Sequence, residues 1–586
     1  MSPSIRLKSH HRLGPQSRLR GNAILFAGEC GDSFLALVRP PDDRDSGFVP
    51  GDRGGEIFCH LALIRLAGAV GIDDRPVLRI PRMSPPVSRR RRAAARERNR
   101  PVDPRTDNAR ASGEAVRELR DTFRGDLLLP RDQRYETARR VWNGSIDRHP
   151  GLIARCADPS DVIAALRAAR RHGLEVAVRG GGHSIAGHAV ADGAVTIDLS
   201  RMATVQVDPD ARRATVQAGS LLSGLDRETQ RHGLAVTSGA VSHTGVAGLT
   251  LGGGFGWIGR KHGLACDNLR SAQVVLADGS QTVASMADDV DLLWALRGGG
   301  GNFGIVTSFE FVLHQVGPMV TTGAGFYDLD DGWKTLELFR ELAAEATDET
   351  TWAASVWAVE PGSPLPQEYH GKFVVSLAFV HIGRVEHGVA LGRRLRGAAS
   401  PLAETVGPVP YLDVQTSNDA GWSHGMRRYW KSHYLWELPD AAIETFLALG
   451  TTTSGEVPPV AGSLLARGGA VARIGEHDSA VGHRGALFEF MASTGWSDPG
   501  EDDTRRGYVR TFADRMARFS RGVYVNNLDI EGEGRVRDAY GEQKYQRLAA
   551  LKARFDPDNI FHLNQNIRPA TAPAARPSTT PGLPTR

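Results

Sequence analysis

Cysteine is scarce in this chain: Cys30, Cys59, Cys156 and Cys266 are the only four in 586 residues, and no two form a C-x-x-C pair. That density and spacing favour neither a disulfide framework nor a structural zinc site, and they suit a reducing cytoplasm. Long apolar runs are missing too. No stretch approaches the roughly 20 apolar residues that span a bilayer. The early apolar run from Ala23 to Ala27, behind Arg6, Lys8 and Arg12, is too short for the core of a signal peptide. Neither a membrane partner nor export is expected.

A charge of one sign is also absent from the chain as a whole, whose net charge is +4. The basic surplus is local: residues 84–110 hold nine Arg against Glu97, Asp103 and Asp107. With no aromatics between the arginines, this stretch reads as a solvated, disordered segment, and no nucleic-acid partner is expected. DNA binding by this arm, the alternative, would show as salt-sensitive retention that its deletion abolishes. Three catalytic signatures are missing as well. No G-K-[ST] lysine follows a glycine run, no G-x-S-x-G follows a strand, and the 19 His, His424 and His433 included, lack zinc-ligand spacing, so no metal is expected.

What is present is a folded protein, 41% hydrophobic and 24% charged, with ample length for a large core. Residues 1–112 are rich in Pro, Gly and Arg, show weak periodicity, and read as a disordered basic extension. From Val141 the pattern sharpens. Asp158-Pro159-Ser160-Asp161 starts a helix with an apolar face of Val162, Ile163, Leu166 and Ala169, and Gly173 stops it. Strands are predicted at Glu175 to Val178, Ala194 to Leu199, Ala214 to Gln217 and Ser271 to Leu276, with a helix from Leu221 to His232. Beyond 319 come longer strands, such as Phe373 to Val380 and Leu487 to Met491, and seven of the ten Trp lie between Trp333 and Trp496. Helices follow from Thr504 to Arg521 and from Tyr545 to Phe555, and residues 571–586 read as a low-complexity, disordered tail.

Three glycine runs carry the chemistry. The first is Arg179-Gly180-Gly181-Gly182-His183-Ser184, directly after a strand, where missing Cβ atoms let backbone N–H groups approach a diphosphate. The second spans Gly245 to Gly256, and the third Arg297 to Thr307. A literal G-x-G-x-x-G occurs at Gly254, Gly256 and Gly259, with Asp278 downstream. The dinucleotide fingerprint needs a helix at once after its glycines, however, and Ile258 to Gly263 breaks too soon to supply one. Three such runs within about 130 residues suit a backbone laid along a large diphosphate-containing cofactor.

These runs, together with Asn564-Gln565-Asn566-Ile567, resemble the berberine-bridge-enzyme-like branch of the vanillyl-alcohol-oxidase flavoproteins, in order, from about Val141 to Pro569. The resemblance implies an α+β fold: a PCMH-type two-subdomain FAD-binding domain (138–318), a substrate domain with helices on an antiparallel sheet (319–504), and a C-terminal segment (505–570) completing the FAD site. It implies FAD as cofactor, contacted by Arg179, Gly180, Gly181, Gly182, His183, Ser184, Gly187, Thr244, Gly245, Gly248, Gly253, Gly254, Gly256, Asp267, Val306, Asn564 and Asn566. In this family the histidine of the Gly-Gly-Gly-His loop bonds the flavin 8-methyl carbon, which marks His183; a histidine that merely caps the loop is the alternative. Many members add a cysteine link, but Val241 stands at that position, so a single link is implied, as in relatives acting on hydroxynicotine-like amines. Cys266 comes too late to replace it and reads as a small buried hydrophobe.

Glu489, in Ala486-Leu487-Phe488-Glu489-Phe490-Met491, is the implied base, with a surface-facing strand glutamate as the alternative. The family's Tyr-x-Asn-Tyr pattern appears as Tyr524-Val525-Asn526-Asn527, so an asparagine stands where a tyrosine often acts. Tyr434 is the candidate substitute, with a core or rim role as its alternative. The implied activity is hydride transfer from a small alcohol, amine or sugar-like substrate to flavin, then reduction of O2 or another acceptor. A flavin-containing binding or resistance protein that sequesters a planar molecule is the competing function. Bleaching of the flavin by substrate separates the two.

Overall fold

The computed structural model describes residues 6–7, 104–450 and 460–571. The 84–110 arm, up to residue 103, and the tail from residue 572 lie outside these residues. A helix, Pro104–Leu119, begins inside the stretch that the sequence reads as an unstructured extension, and Arg6–Leu7 pairs with Glu404 and Ala403 at a sheet edge.

The helix expected at Asp158 runs Pro159–Arg171. Its N-cap Asp158 accepts from Ser160 N and Asp161 N, its Val162, Leu166 and Ala169 are buried, and Gly173 takes a positive φ of 64° just beyond it. This helix connects two strands of a four-stranded sheet ordered Asp126–Leu128, Leu152–Arg155, Val195–Asp198, Val176–Arg179, the last three parallel. The first glycine run leaves the carboxyl end of Val176–Arg179, where open parallel sheets bind ligands. A second, antiparallel sheet is ordered Gln281–Ser285, Leu269–Val275, Ile305–Val312, Arg213–Gln217, Val205–Asp208. The two share one core, which residues of the C-terminal helix Glu542–Phe555 join: Tyr545, Leu548, Leu551 and Phe555.

The rest of the chain forms a long antiparallel sheet in the order Arg6–Leu7, Ala403–Pro410, Met319–Asp328, Phe373–His381, Thr350–Ala358, Ala461–Ala466, Phe488–Trp496, Arg427–Leu435. Side chains alternate across it. Phe488, Phe490 and Ala492 share a core with the helices Gly332–Glu345, Asp440–Leu447 and Asp502–Ala517. The last of these, divided from the substrate domain by a boundary at 504, therefore packs on its sheet through Val509, Phe512, Ala513 and Met516. Glu489 and Met491 take the opposite face, as do Tyr434 and Trp430 on the neighbouring strand, whose Leu435 and Tyr429 face the helices.

Candidate active site

The two glycine runs meet through bare backbone. A Cβ on Gly181 would lie 2.4 Å from Gly245 N, and one on Gly245 would lie 2.3 Å from Gly181 N. Gly248, exposed on the short helix Val246–Leu251, has the opposite surroundings: a Cβ there would meet nothing within 4 Å. Replacing Gly245 with Ala should therefore push the runs apart, at about 1–3 kcal/mol for an overpacked contact. The flavin-to-protein ratio of the purified variant should fall, and an unchanged ratio would show that this approach does not shape the cradle.

Beyond the second run, Gly254 N donates to the Tyr524 hydroxyl at 2.7 Å, and Asn526 Nδ2 donates to the same oxygen at 2.9 Å. The third run is tied to the C-terminal segment through Asn302, whose Nδ2 donates to Gln565 O and whose Oδ1 accepts from Ile567 N. Lys552, fully buried, donates to Asn302 O, Asp556 and Phe561 O. Between these anchors Asn564 Oδ1 and Asn566 Oδ1 are buried with no hydrogen-bond partner. Buried acceptors left unsatisfied in this way call for a donor from outside the chain, such as a ribityl or ribose hydroxyl. Together with the bare backbone of the glycine runs, they fit a flavin dinucleotide.

His183 lies at the first run with its ring stacked on Trp142, centroids 4.2 Å apart and planes 16° apart. Its Nε2 lies 3.1 Å from His243 Nδ1, and burial, with His243 and His424 nearby, holds its pKa well below the ordinary histidine value. Trp142 joins the lobes. Its backbone N–H donates to Gly182 O at 3.0 Å and its indole N–H to Trp422 O at 2.6 Å. Val241 packs in the same cluster as Trp142, Trp422 and Trp430.

Across from the glycine runs, the long sheet presents Glu489, buried and paired in register with Tyr434. One carboxylate oxygen accepts from Asn527 Nδ2 at 2.7 Å and the other from Arg467 Nη1 at 3.2 Å. Burial raises the Glu489 pKa above its ordinary value, and the Arg467 charge pulls against that rise. The Arg467 guanidinium lies 4.3 Å from the centroid of the Tyr434 ring, and its Nε and Nη2 are buried without partners. Burial raises the pKa of both Tyr434 and Tyr524, so both phenols stay protonated at neutral pH. Of these groups Glu489 is the one suited to accept a proton.

The structure thus brings Glu489 and Tyr434 together, and sets both His183 and Val241 beside Trp142. Other expected cofactor residues have chain partners. Asp267 is held by Arg484 through both carboxylate oxygens, at 3.1 and 2.5 Å, and accepts from Leu264 N at 2.8 Å. Arg179 donates to Ala138 O and lies against Gly182. Gly256 packs on Ser238 O, Gly187 O accepts from Arg148, Gly187 N donates to Ser184 O, and Leu222 N donates to Thr244 O. Val306 is buried in the core, and Gly253 has a φ of 130°. Cys266 is buried among Leu264, Val471 and Val481, as a small hydrophobe would be. Trp142, His243 and Arg467 were not legible as site residues. An arginine closing the apolar strand Ala461–Ala466 was the available signal for Arg467.

Among the described residues no group of His, Cys, Asp and Glu is arranged to hold a metal ion, and no helix is long and apolar enough to cross a membrane.

Fold and site together define a flavin-dependent oxidoreductase. The FAD binding domain family matches residues 150–285, and the berberine and berberine-like family matches residues 523–568. The chain carries an FAD binding domain and a berberine-like segment, and is an FAD-linked oxidoreductase with an α+β fold shared with PCMH-type flavoenzymes.

An uncharacterized FAD-linked oxidoreductase of Bacillus subtilis, YgaK, is 29% identical over 76% of this chain and 97% of its own length. The (R)-6-hydroxynicotine oxidase of Paenarthrobacter nicotinovorans is 28% identical over 76% of this chain and 97% of its own. The crystal structure of 6-hydroxy-D-nicotine oxidase from Arthrobacter nicotinovorans superposes with a TM-score of 0.68 at 26% identity, covering 77% of this chain and 99% of that one. Xylooligosaccharide oxidase from Myceliophthora thermophila, at 24% identity and a TM-score of 0.69 over 79% of this chain and all of its own, shares the fold. These relatives lend no support to a flavin protein that only sequesters its ligand.

Proposed function

We propose that this chain oxidises a small alcohol, amine or sugar-like substrate with a single covalent FAD link at His183 and Glu489 as the base. The observation that carries the reading is the buried Glu489 carboxylate, held by Asn527 and Arg467 on the sheet face turned toward the glycine runs. FAD is held by 138–318 and by the C-terminal part of 505–570, and substrate by 319–504 together with the helix Asp502–Ala517 packed on its sheet. His183 anchors the cofactor, the bare backbone of the glycine runs lines it, and Asn564 and Asn566 offer acceptors to its hydroxyls. Bound FAD would supply the hydride acceptor and return electrons to O2 or another acceptor.

Glu489 takes the substrate O–H or N–H proton as hydride leaves the adjoining carbon. Asn527 and Arg467 fix both carboxylate oxygens, and Arg467 opposes the rise in pKa that burial imposes on the base. The relatives named for 6-hydroxynicotine and for xylooligosaccharides support this range of substrates. The buried thiols of Cys156 and Cys266 support a cytoplasmic setting.

An anaerobic screen of hydroxylated amines, secondary alcohols and oligosaccharides, read as loss of the visible flavin absorbance, tests the reading. At least one class should bleach the flavin, and full colour with every class would contradict it.

A further inference from the structure

We propose that Arg260 is a positioning residue for the base: it crosses from the FAD domain and holds the main chain of Arg467 where that side chain reaches Glu489, an inference that rests on Glu489 acting as base. One buried guanidinium with its acceptors in the other lobe carries it. Arg260 sits on the short helix Gly259–His262, just past the second glycine run, and donates through Nη1 to Arg467 O and through Nη2 to Ala346 O, the latter at 2.9 Å. It is 5% exposed, and its Nε is buried without a partner.

A buried cation without a carboxylate is costly. The carboxylate facing Arg260, that of Asp348, is paired with Arg473, and the neighbouring Lys261 pairs with Glu349. Burial accordingly lowers the Arg260 pKa. Two carbonyls hold the charge instead, and Ala346 is the C-cap of the helix Gly332–Glu345, an end that favours a cation. An apolar side chain would fill the same space at less cost, so packing alone does not account for an arginine here.

The main chain of Arg467 is held from both sides. Its N donates to Leu487 O at 2.7 Å, and its O accepts from Arg260. Beyond it Gly468 and Gly469 turn the chain with φ of 90° and 59°, and a Cβ on Gly469 would collide with Arg260 O. Two glycines make a soft turn, which leaves the Arg260 bond to fix the Arg467 carbonyl. The fixing matters because Arg467 Nη1 stands 3.2 Å from Glu489, at the long edge of a hydrogen bond, where a small displacement ends the contact. The other titratable groups facing Glu489 are Tyr434 and Tyr524, both protonated at neutral pH.

The ionisation of Glu489 is followed by infrared spectroscopy of the full-length, flavin-loaded chain, as the protonated-carboxyl band that titrates with pH and is lost in Glu489→Gln. Arg467→Met sets the largest rise in this pKa, about 1–3 units. Arg260→Met should move it the same way, by about 1 unit. Gly469→Ala leaves both charges in place and displaces the turn, and should raise it as well. An unshifted pKa in Arg260→Met overturns the positioning role. So does a rise confined to Arg260→Met, which would mean that the Arg260 charge acts on Glu489 directly. The base reading fails separately: if the pKa moves in Arg260→Met while the acid limb of flavin reduction stays in place, Glu489 is not the base, although Arg260 still holds Arg467.

Discussion

Glu489→Gln is expected to slow flavin reduction by substrate about 10²- to 10⁴-fold, the range a positioned general base contributes. The amide keeps the shape of the side chain and can still accept one hydrogen bond, but it cannot take a proton. Bound flavin should be retained, because Glu489 stands on the substrate sheet and no glycine run depends on it. Stability should fall. The substitution leaves Arg467, whose side chain has 0% exposure, as a buried cation without its counter-ion, and breaking such a pair costs about 3–5 kcal/mol. A thermal melt would show this, and Glu489→Gln combined with Arg467→Met should recover much of the loss. Rapid-mixing reduction at the wild-type rate in Glu489→Gln would remove Glu489 as the base.

Arg467→Met should move the pH dependence of the same step. Glu489 works as a base only when ionised, and burial raises its pKa, so activity is lost as pH falls through that raised value. Arg467 is the opposing influence, at 3.2 Å. An opposite charge at such a distance lowers a carboxyl pKa by about 1–3 units. Without it the acid limb of the reduction rate should shift upward by about that much, with the plateau at high pH less affected. An acid limb that stays in place would mean that Arg467 does not hold the Glu489 charge.

Much of this arrangement is local and could be read from the chain. The Asp158 cap, the period of the following helix and the glycine runs are set by residues within one turn or loop of each other. The alternation Phe488-Glu489-Phe490 puts one carboxyl on the face opposite two buried rings, which is why Glu489 was legible as a candidate. What the sequence hid are contacts made by topology. Arg467 reaches Glu489 from the adjacent strand, and Asp267 meets Arg484 across 217 positions, which turns an expected cofactor carboxylate into half of a buried ion pair. Trp142 bears no mark of its role until its indole reaches Trp422 O across 280 positions. Asn527 read as the loss of a tyrosine; in the structure its amide steadies the carboxylate instead.

FAD held at the first glycine run by His183 underlies every step proposed above. The measurement that tests it is the visible spectrum of acid-precipitated wild-type protein set against that of His183→Ala. The wild-type pellet should stay yellow, and the variant should release its flavin to the supernatant. A colourless wild-type pellet, or a yellow one from His183→Ala, would contradict it.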